Sequence, residues 1–344
     1  MVLGFFPSLL FACLLFLSAT VHAQGYTLKI ATLVPPDTSW TNVIEEWDQE
    51  LQAKSKGRLK IKLFAGGTMG DEPVVIRKMR LNQLHGGIFT GYGIGRMYSP
   101  ARVLEMPFMF RDTDESDYVR DQLMADFEKG FRDNGYELLG WPEIGFIHLF
   151  SKVPVNSLED LKKCRVWLWQ GDVLSEAFFH VSDIAPVPLS IMDVYPQLSA
   201  IHGSIDTIYA PPFGAIAMQW HTRVKYASHI PFTNGIGGLI VTKKFFDSLP
   251  PDLQTLLAET GKAASSKIAM IAREDNRKSI KVLEEQGISF MWNWSDEEIR
   301  SFSLLRDRAA EELVKSGYIP ETVFEKTKTL LNGYRQKVAR ETAP

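Results

Sequence analysis

The sequence predicts an α/β protein with chain enough for two lobes. Three observations carry this expectation. From Tyr26 to about Gly95, strand-like runs and stretches of helical spacing alternate: strand, helix, strand, helix, strand. A single tract of helical composition runs from Pro251 to about Gln286, as in a helix that passes between lobes. The 344 residues show no low-complexity tether, so strands or long helices must join the lobes.

Along the chain, "YTLKIATLVPP" alternates and breaks at Pro35 and Pro36, which predicts a first strand and its loop. Val43, Ile44, Trp47 and Leu51 fall at helical spacing between Trp40 and Lys56, and Gly57 ends that helix. "RLKIKLFAGG" predicts a second strand, "DEPVVIRKMRLNQL" a second helix and "GGIFTGYG" a third strand. Such a βαβαβ order implies a parallel sheet with crossover helices. "VLEMPFMF" reads as an apolar loop, "DESDYVRDQLMADFEKGFRDNG" as a helix, and "YELLGWPEIGFIHLFS" as a strand pair or one crossing strand. "SLEDLKK" carries a Ser-x-x-Asp cap. "KCRVWLWQGD" predicts a strand with Val166 and Leu168 on one face and Arg165, Trp167 and Trp169 on the other. A helix through Val173 to Val181 follows, then one that starts near Ser190 and stops by Gly203, then a short strand to Tyr209. "GGLIVTKKFFDSL" reads as a strand leading into a helix. Ser295 caps a helix with acids in its first turn and bases later, and a basic amphipathic helix closes the chain.

Composition narrows function. The chain is 45% apolar and 23% charged with net charge −3, so no basic excess suggests nucleic acid or an anionic membrane. The apolar run from Leu3 to Leu17 is short for a membrane span, and Val21-His22-Ala23 fits a cleavage site before Gln24. Residues 1–23 are expected to be a signal peptide, atypical in that no Lys or Arg precedes the run. Cys13 lies inside that run in a poor context for lipoprotein processing; after cleavage Cys164 alone remains, too few for an internal disulfide. The seven histidines are spread singly, and His148, His180, His202, His221 and His229 show no metal-ligand pairing. "GYGIG" has the wrong spacing for a dinucleotide loop and reads as a tight turn. No Gly-x-Ser-x-Gly occurs and Cys164 has no evident base, so neither an enzyme nor a cofactor is expected.

The order and spacing of "LKIATLVPPDTSW", "GRLKIKLFAGGTMGDE", "VLEMPFMF", "SLEDLKKCRVW", "APVPLSIMDVYPQLSAIHGSIDT", "RVKYAS" and "LIVTKKFFDSLP" resemble the solute-binding proteins of tripartite ATP-independent periplasmic (TRAP) transporters, the dicarboxylate-binding-protein family. The resemblance implies a two-lobed periplasmic-binding-protein-like fold, with a sheet in each lobe, helices on both faces and a long inter-lobe helix. It places residues 24–148 plus about 235–270 in one lobe and about 149–234 plus 271–335 in the other. It implies a periplasmic receptor that closes on a small ligand and hands it to membrane permease subunits. No nucleic-acid partner is implied.

Members of that family usually bind carboxylates and place a clamping arginine on the strand of "KCRVWLWQGD". The match puts Trp167 at that position, Ile147 at a second arginine position, and Tyr209 and Ala210 where a ligand-binding asparagine is expected. The chain is therefore similar to a subgroup that lacks the arginine and suits hydrophobic ligands, some members of which have a tetratricopeptide partner. Trp167, Trp169, Phe146, Ile147, Tyr209, Ala210 and Phe213, with Thr90, Tyr92 and Gln170, are the expected ligand-binding residues. Arg165 is the rival residue, able to serve a carboxylate if it faces the cleft. A ligand-sensing module without transport is the other alternative.

Overall fold

In a computed structural model that describes residues 25–291 and 295–341, the chain begins with the expected crossover pattern. β1 (Tyr26–Thr32), α1 (Ser39–Ser55), β2 (Leu59–Phe64), α2 (Glu72–Arg80) and β3 (Gly86–Thr90) alternate, and β1 pairs in parallel with both β2 and β3. Thr38 caps α1 in a reciprocal capping box, and Asp71 caps α2. The signal peptide expected over residues 1–23 lies outside the described residues.

The next segment departs from expectation at "GYGIG". Gly91–Met97 is a short helix, α3, rather than a turn. A 3₁₀ segment, Ser99–Glu105, follows, then α4 (Thr113–Asp133), β4 (Tyr136–Gly140) and β5 (Glu143–Ser151). The reason for the glycines is steric. A Cβ on Gly91 would stand 1.7 Å from Glu105 Oε2, and one on Gly93 would stand 2.4 Å from Glu72 Oε2. Two buried carboxylates pack directly against bare backbone there.

The remaining chain gives α5 (Leu158–Leu161), β6 (Trp167–Trp169), α6 (Val173–Val181), β7 (Val187–Leu189), α7 (Ile191–Ser199), β8 (Thr207–Ala210), α8 (Pro212–Ala217) and β9 (Tyr226–Ser228). It ends with β10 (Thr233–Thr242), α9 (Lys243–Ser248), α10 (Pro251–Glu285), β11 (Ser289–Met291), α11 (Asp296–Lys315) and α12 (Glu321–Glu341). The caps at Ser157 and Ser295 form as read, and Ser190 caps the helix expected to start near it. Strands β7, β9 and β11, of three residues each, are not among the expected strands.

The lobes share two strands. The end of β10 pairs with β3 and β4, while its start pairs with β5; β5 runs on to pair with β8 and β9. Nine strands are thereby joined, and β6 and β7 form a separate pair. Apolar clusters lie on both faces: one holds Phe89, Phe127 and Leu313, another Trp47, Leu239 and Leu257. A third holds Trp167, Ile208 and Leu283, and a fourth Val166, Phe178 and Phe302.

Helix α10 spans 35 residues, about 50 Å at the α-helical rise. Its buried stripe begins at Leu253 in the second cluster and ends at Leu283 in the third, so it crosses between lobes. Asn276, buried on that stripe, donates to Ile144 O at 3.0 Å and accepts from Phe213 N at 3.0 Å. Gly145 sits at φ +103, and a Cβ there would meet Asn276 Nδ2 at 2.3 Å. Glycine is what lets β5 pass this close to the helix.

Candidate functional site

Between the lobes lies a cavity of about 180 Å³, larger than one that holds a benzene-sized molecule. Its walls come from both lobes. Thr90 and Tyr92 arrive from the β3–α3 corner, Trp167 and Trp169 from β6, Tyr209 and Ala210 from β8, Ile147 from β5 and Phe213 from α8. These eight expected residues line one cavity although they span more than 120 positions of chain.

The aromatic wall is continuous. Trp167 stacks on Tyr209 with ring centroids 4.9 Å apart, and lies 5.7 Å from Trp169 and 5.6 Å from Trp220. Tyr92 meets Trp169 at 4.7 Å from the opposite lobe. Trp40, named from the sequence only as the start of the first helix, stacks on Phe213 at 5.1 Å and also lines the cavity.

Three expected residues stand elsewhere. Arg165 lies before β6, where the alternation that would have shared its face with Trp167 no longer holds. Its exposed guanidinium donates to Asp206 Oδ2 at 3.0 Å and to Gly203 O at 2.6 Å, outside the cavity lining. Phe146 is also outside the lining: the positive φ of Gly145 and the register shift after Gly235 bring Ile144 and Ile147 to the cavity instead. The Gln170 side chain is exposed, and its carbonyl accepts from the Tyr92 hydroxyl at 2.8 Å.

The polar end of the cavity is Arg102, Glu105, Asp172 and Ser175. Arg102 of the first lobe forks onto Asp172 of the second, Nη1 to Oδ1 at 2.8 Å and Nη2 to Oδ2 at 3.3 Å. Its Nε lies 2.6 Å from Glu105 Oε2, an ion pair too bent to be a hydrogen bond. Glu105 Oε1 accepts from Ile236 N at 2.9 Å. Arg102 is 3% exposed, Asp172 4% and Glu105 8%, so one guanidinium serves two largely desolvated carboxylates. Sequence reading missed them, yet two charged residues three apart within the apolar "ARVLEMPF" were a signal: buried charge demands a partner.

A second set of contacts joins the lobes beside this pair. The Asp71 carboxylate accepts from Trp169 Nε1 at 3.1 Å, Ser190 Oγ at 2.6 Å and Ile191 N at 3.3 Å. The cavity wall and the lobe contact thus share the Trp169 indole.

A model of the family described as bacterial extracellular solute-binding protein, family 7, matches residues 30–314. The chain belongs to this family. It is one of TRAP solute-binding proteins, receptors rather than enzymes, which bind small ligands and work with membrane permease subunits.

Relatives of this TRAP receptor include the 2,3-diketo-L-gulonate-binding periplasmic protein of Escherichia coli strain K12, 25% identical over 71% of this chain and 74% of that protein. The C4-dicarboxylate-binding periplasmic protein of Rhodobacter capsulatus is 21% identical over 79% of this chain and 81% of that protein. Among solved structures, a TRAP solute-binding protein of Sulfitobacter sp. NAS-14.1 with bound β-D-galacturonate matches with TM-score 0.80 at 20% identity, covering 89% of this chain and 100% of that one. The galactonate-bound sugar acid binding protein of Advenella mimigardefordensis matches with TM-score 0.82 at 16% identity, covering 90% and 99%. At such identities these structures establish the two-lobed fold alone. No described helix of the receptor is long and apolar enough to cross a membrane.

Burial also sets the protonation of the carboxyls near its cleft. Glu72, which accepts from Thr90 N at 2.7 Å and Thr90 Oγ1 at 3.0 Å, is pushed up to about 8 by desolvation. Desolvation raises Glu105 to about 7, although Arg102 pulls it down. Between 4.5 and 8 the folded protein holds a proton on Glu72 that the unfolded chain has lost. Glu72 therefore stabilises the fold fully below pH 4.5, and that contribution is lost as pH rises to about 8. Melting temperatures measured across this window should fall more steeply for wild type than for Glu72→Gln; parallel curves would refute the assignment.

Proposed function

We propose that this protein is a periplasmic TRAP receptor whose ligand has an uncharged apolar or aromatic body, closed upon by both lobes and passed to the permease. One observation carries the reading. Among the described residues, the cation on the cavity wall is Arg102, and Asp172 and Glu105 already engage it. A carboxylate entering this cavity would lose its water and meet two other carboxylates, at a cost of several kcal/mol. An apolar ligand gains roughly 25 cal/mol per Å² covered by the indole and phenyl walls.

Trp167, Trp169, Tyr209, Ala210 and Phe213 would form the wall of the second lobe, Thr90 and Tyr92 that of the first, and Ile147 would lie on β5, which the lobes share. Ligand contact with both faces is what would favour closure, since only differential affinity shifts the balance between open and closed forms. The relatives named above bind sugar acids and dicarboxylates by name, and those ligands are the rival reading here.

Mass spectrometry of small molecules released from natively purified protein tests the proposal. An uncharged aromatic or aliphatic ligand is expected; a sugar acid or dicarboxylate would overturn it. Arg165→Ala should leave retention of that ligand unchanged and cost under about 1 kcal/mol of stability, as for an exposed ion pair. Loss of ligand in that variant would restore the carboxylate reading through Arg165.

A further inference from the structure

We propose that Asp172 determines ligand class in this cleft: it is an in-chain carboxylate that occupies Arg102 across the lobe boundary, as an anionic ligand would, and so bars anions from the cavity. The inference rests on the ligand reading above and names the residue responsible for it.

The geometry is that of ligand recognition. The fork from Arg102, at 2.8 and 3.3 Å, is the bidentate arrangement by which arginine takes a carboxylate. Both partners line the ligand cavity, and they come from different lobes.

Asp172 is also held for this purpose rather than for its helix. It occupies the N-cap of α6, a position where aspartate ordinarily accepts from the first-turn amides, yet its side chain makes no capping bond. The carboxylate turns instead to Arg102, and Ser175 Oγ donates to its Oδ2 at 2.7 Å. Gly171, at φ +83, makes the turn that aims it. The carboxylate is thus fixed before any ligand enters. Discrimination then comes from repulsion as much as from the apolar wall.

A matched pair of probes separates charge from shape. Benzoate and benzamide present nearly the same body, one anionic and one neutral, and calorimetric titration gives the ratio of their affinities. Wild type should favour benzamide. Asp172→Asn removes the charge and keeps one acceptor oxygen, which at the Oδ2 position can serve both Arg102 Nη2 and Ser175 Oγ. It should swing the ratio toward benzoate by at least roughly tenfold. Asp172→Ser, which vacates the site, is the second variant should the first fold poorly, with circular dichroism reporting the fold of each. A folded variant whose ratio stays at the wild-type value, or that binds neither probe, overturns the role of Asp172. Tight binding of D-galacturonate by wild type would instead overturn the ligand reading, whatever the variants do.

Discussion

Arg102→Met is expected to destabilise the protein by about 3–5 kcal/mol, the usual cost of removing one partner from a buried ion pair. The loss is not the worth of the pair itself. Asp172 and Glu105 would remain largely desolvated at the polar end of the cavity, with Ser175 Oγ and Ile236 N as their remaining donors among the described residues. Glu105 already sits near 7 because burial outweighs the attraction of Arg102; without the guanidinium it moves further up. The destabilisation should therefore be greater above pH 7 than below it. Urea unfolding at two pH values measures both effects. A second substitution, Asp172→Leu in the Arg102→Met background, should recover part of the loss, because an apolar pair of similar volume leaves fewer stranded charges. A midpoint unchanged by Arg102→Met would show that the cluster is not desolvated as described.

Trp167→Ala should cost about 3–5 kcal/mol, the range for deleting a large buried aromatic. Trp167 is 1% exposed and touches Tyr209, Trp169 and Trp220. Its indole donates to Leu189 O at 3.1 Å, but that carbonyl also accepts from Gln170 N at 3.1 Å. The substitution therefore strands no acceptor, and the loss is of packing and stacking. The vacated space opens onto the ligand cavity, so the same variant should release the co-purifying ligand. Retention of ligand with unchanged stability would remove Trp167 from the wall. A ligand lost without destabilisation would show that neighbouring rings close over the gap.

The two substitutions also separate the two ends of the cleft. Trp167 belongs to the apolar wall, and Arg102 to a polar end that needs no ligand to be satisfied. Under the proposed function, a receptor built this way would draw little of its binding from ligand charge.

Much of this architecture was written locally. The crossover order of β1 to β3, the caps at Ser157 and Ser295, the helix start near Ser190 and the long span of α10 follow from periodicity and end signals a few residues wide. The alternation in "KCRVWLWQGD" likewise set Val166 and Leu168 apart from Trp167 and Trp169, which fall in different clusters of the second lobe. What the sequence did not decide was everything that depends on a distant partner. Arg165 leaves the face of Trp167 because Asp206 and Gly203 lie beside it, 41 and 38 positions away. Phe146 gives way to Ile144 because a shared strand bulges at Gly235. Arg102 and Asp172, 70 positions apart, meet only when the lobes do. Period and capping are properties of neighbours along the chain, whereas charge compensation in a cleft is a property of neighbours in space. The sequence determined the two-lobed α/β protein with an aromatic strand at its cleft; only the tertiary structure decided that the cleft brings its own counter-ion.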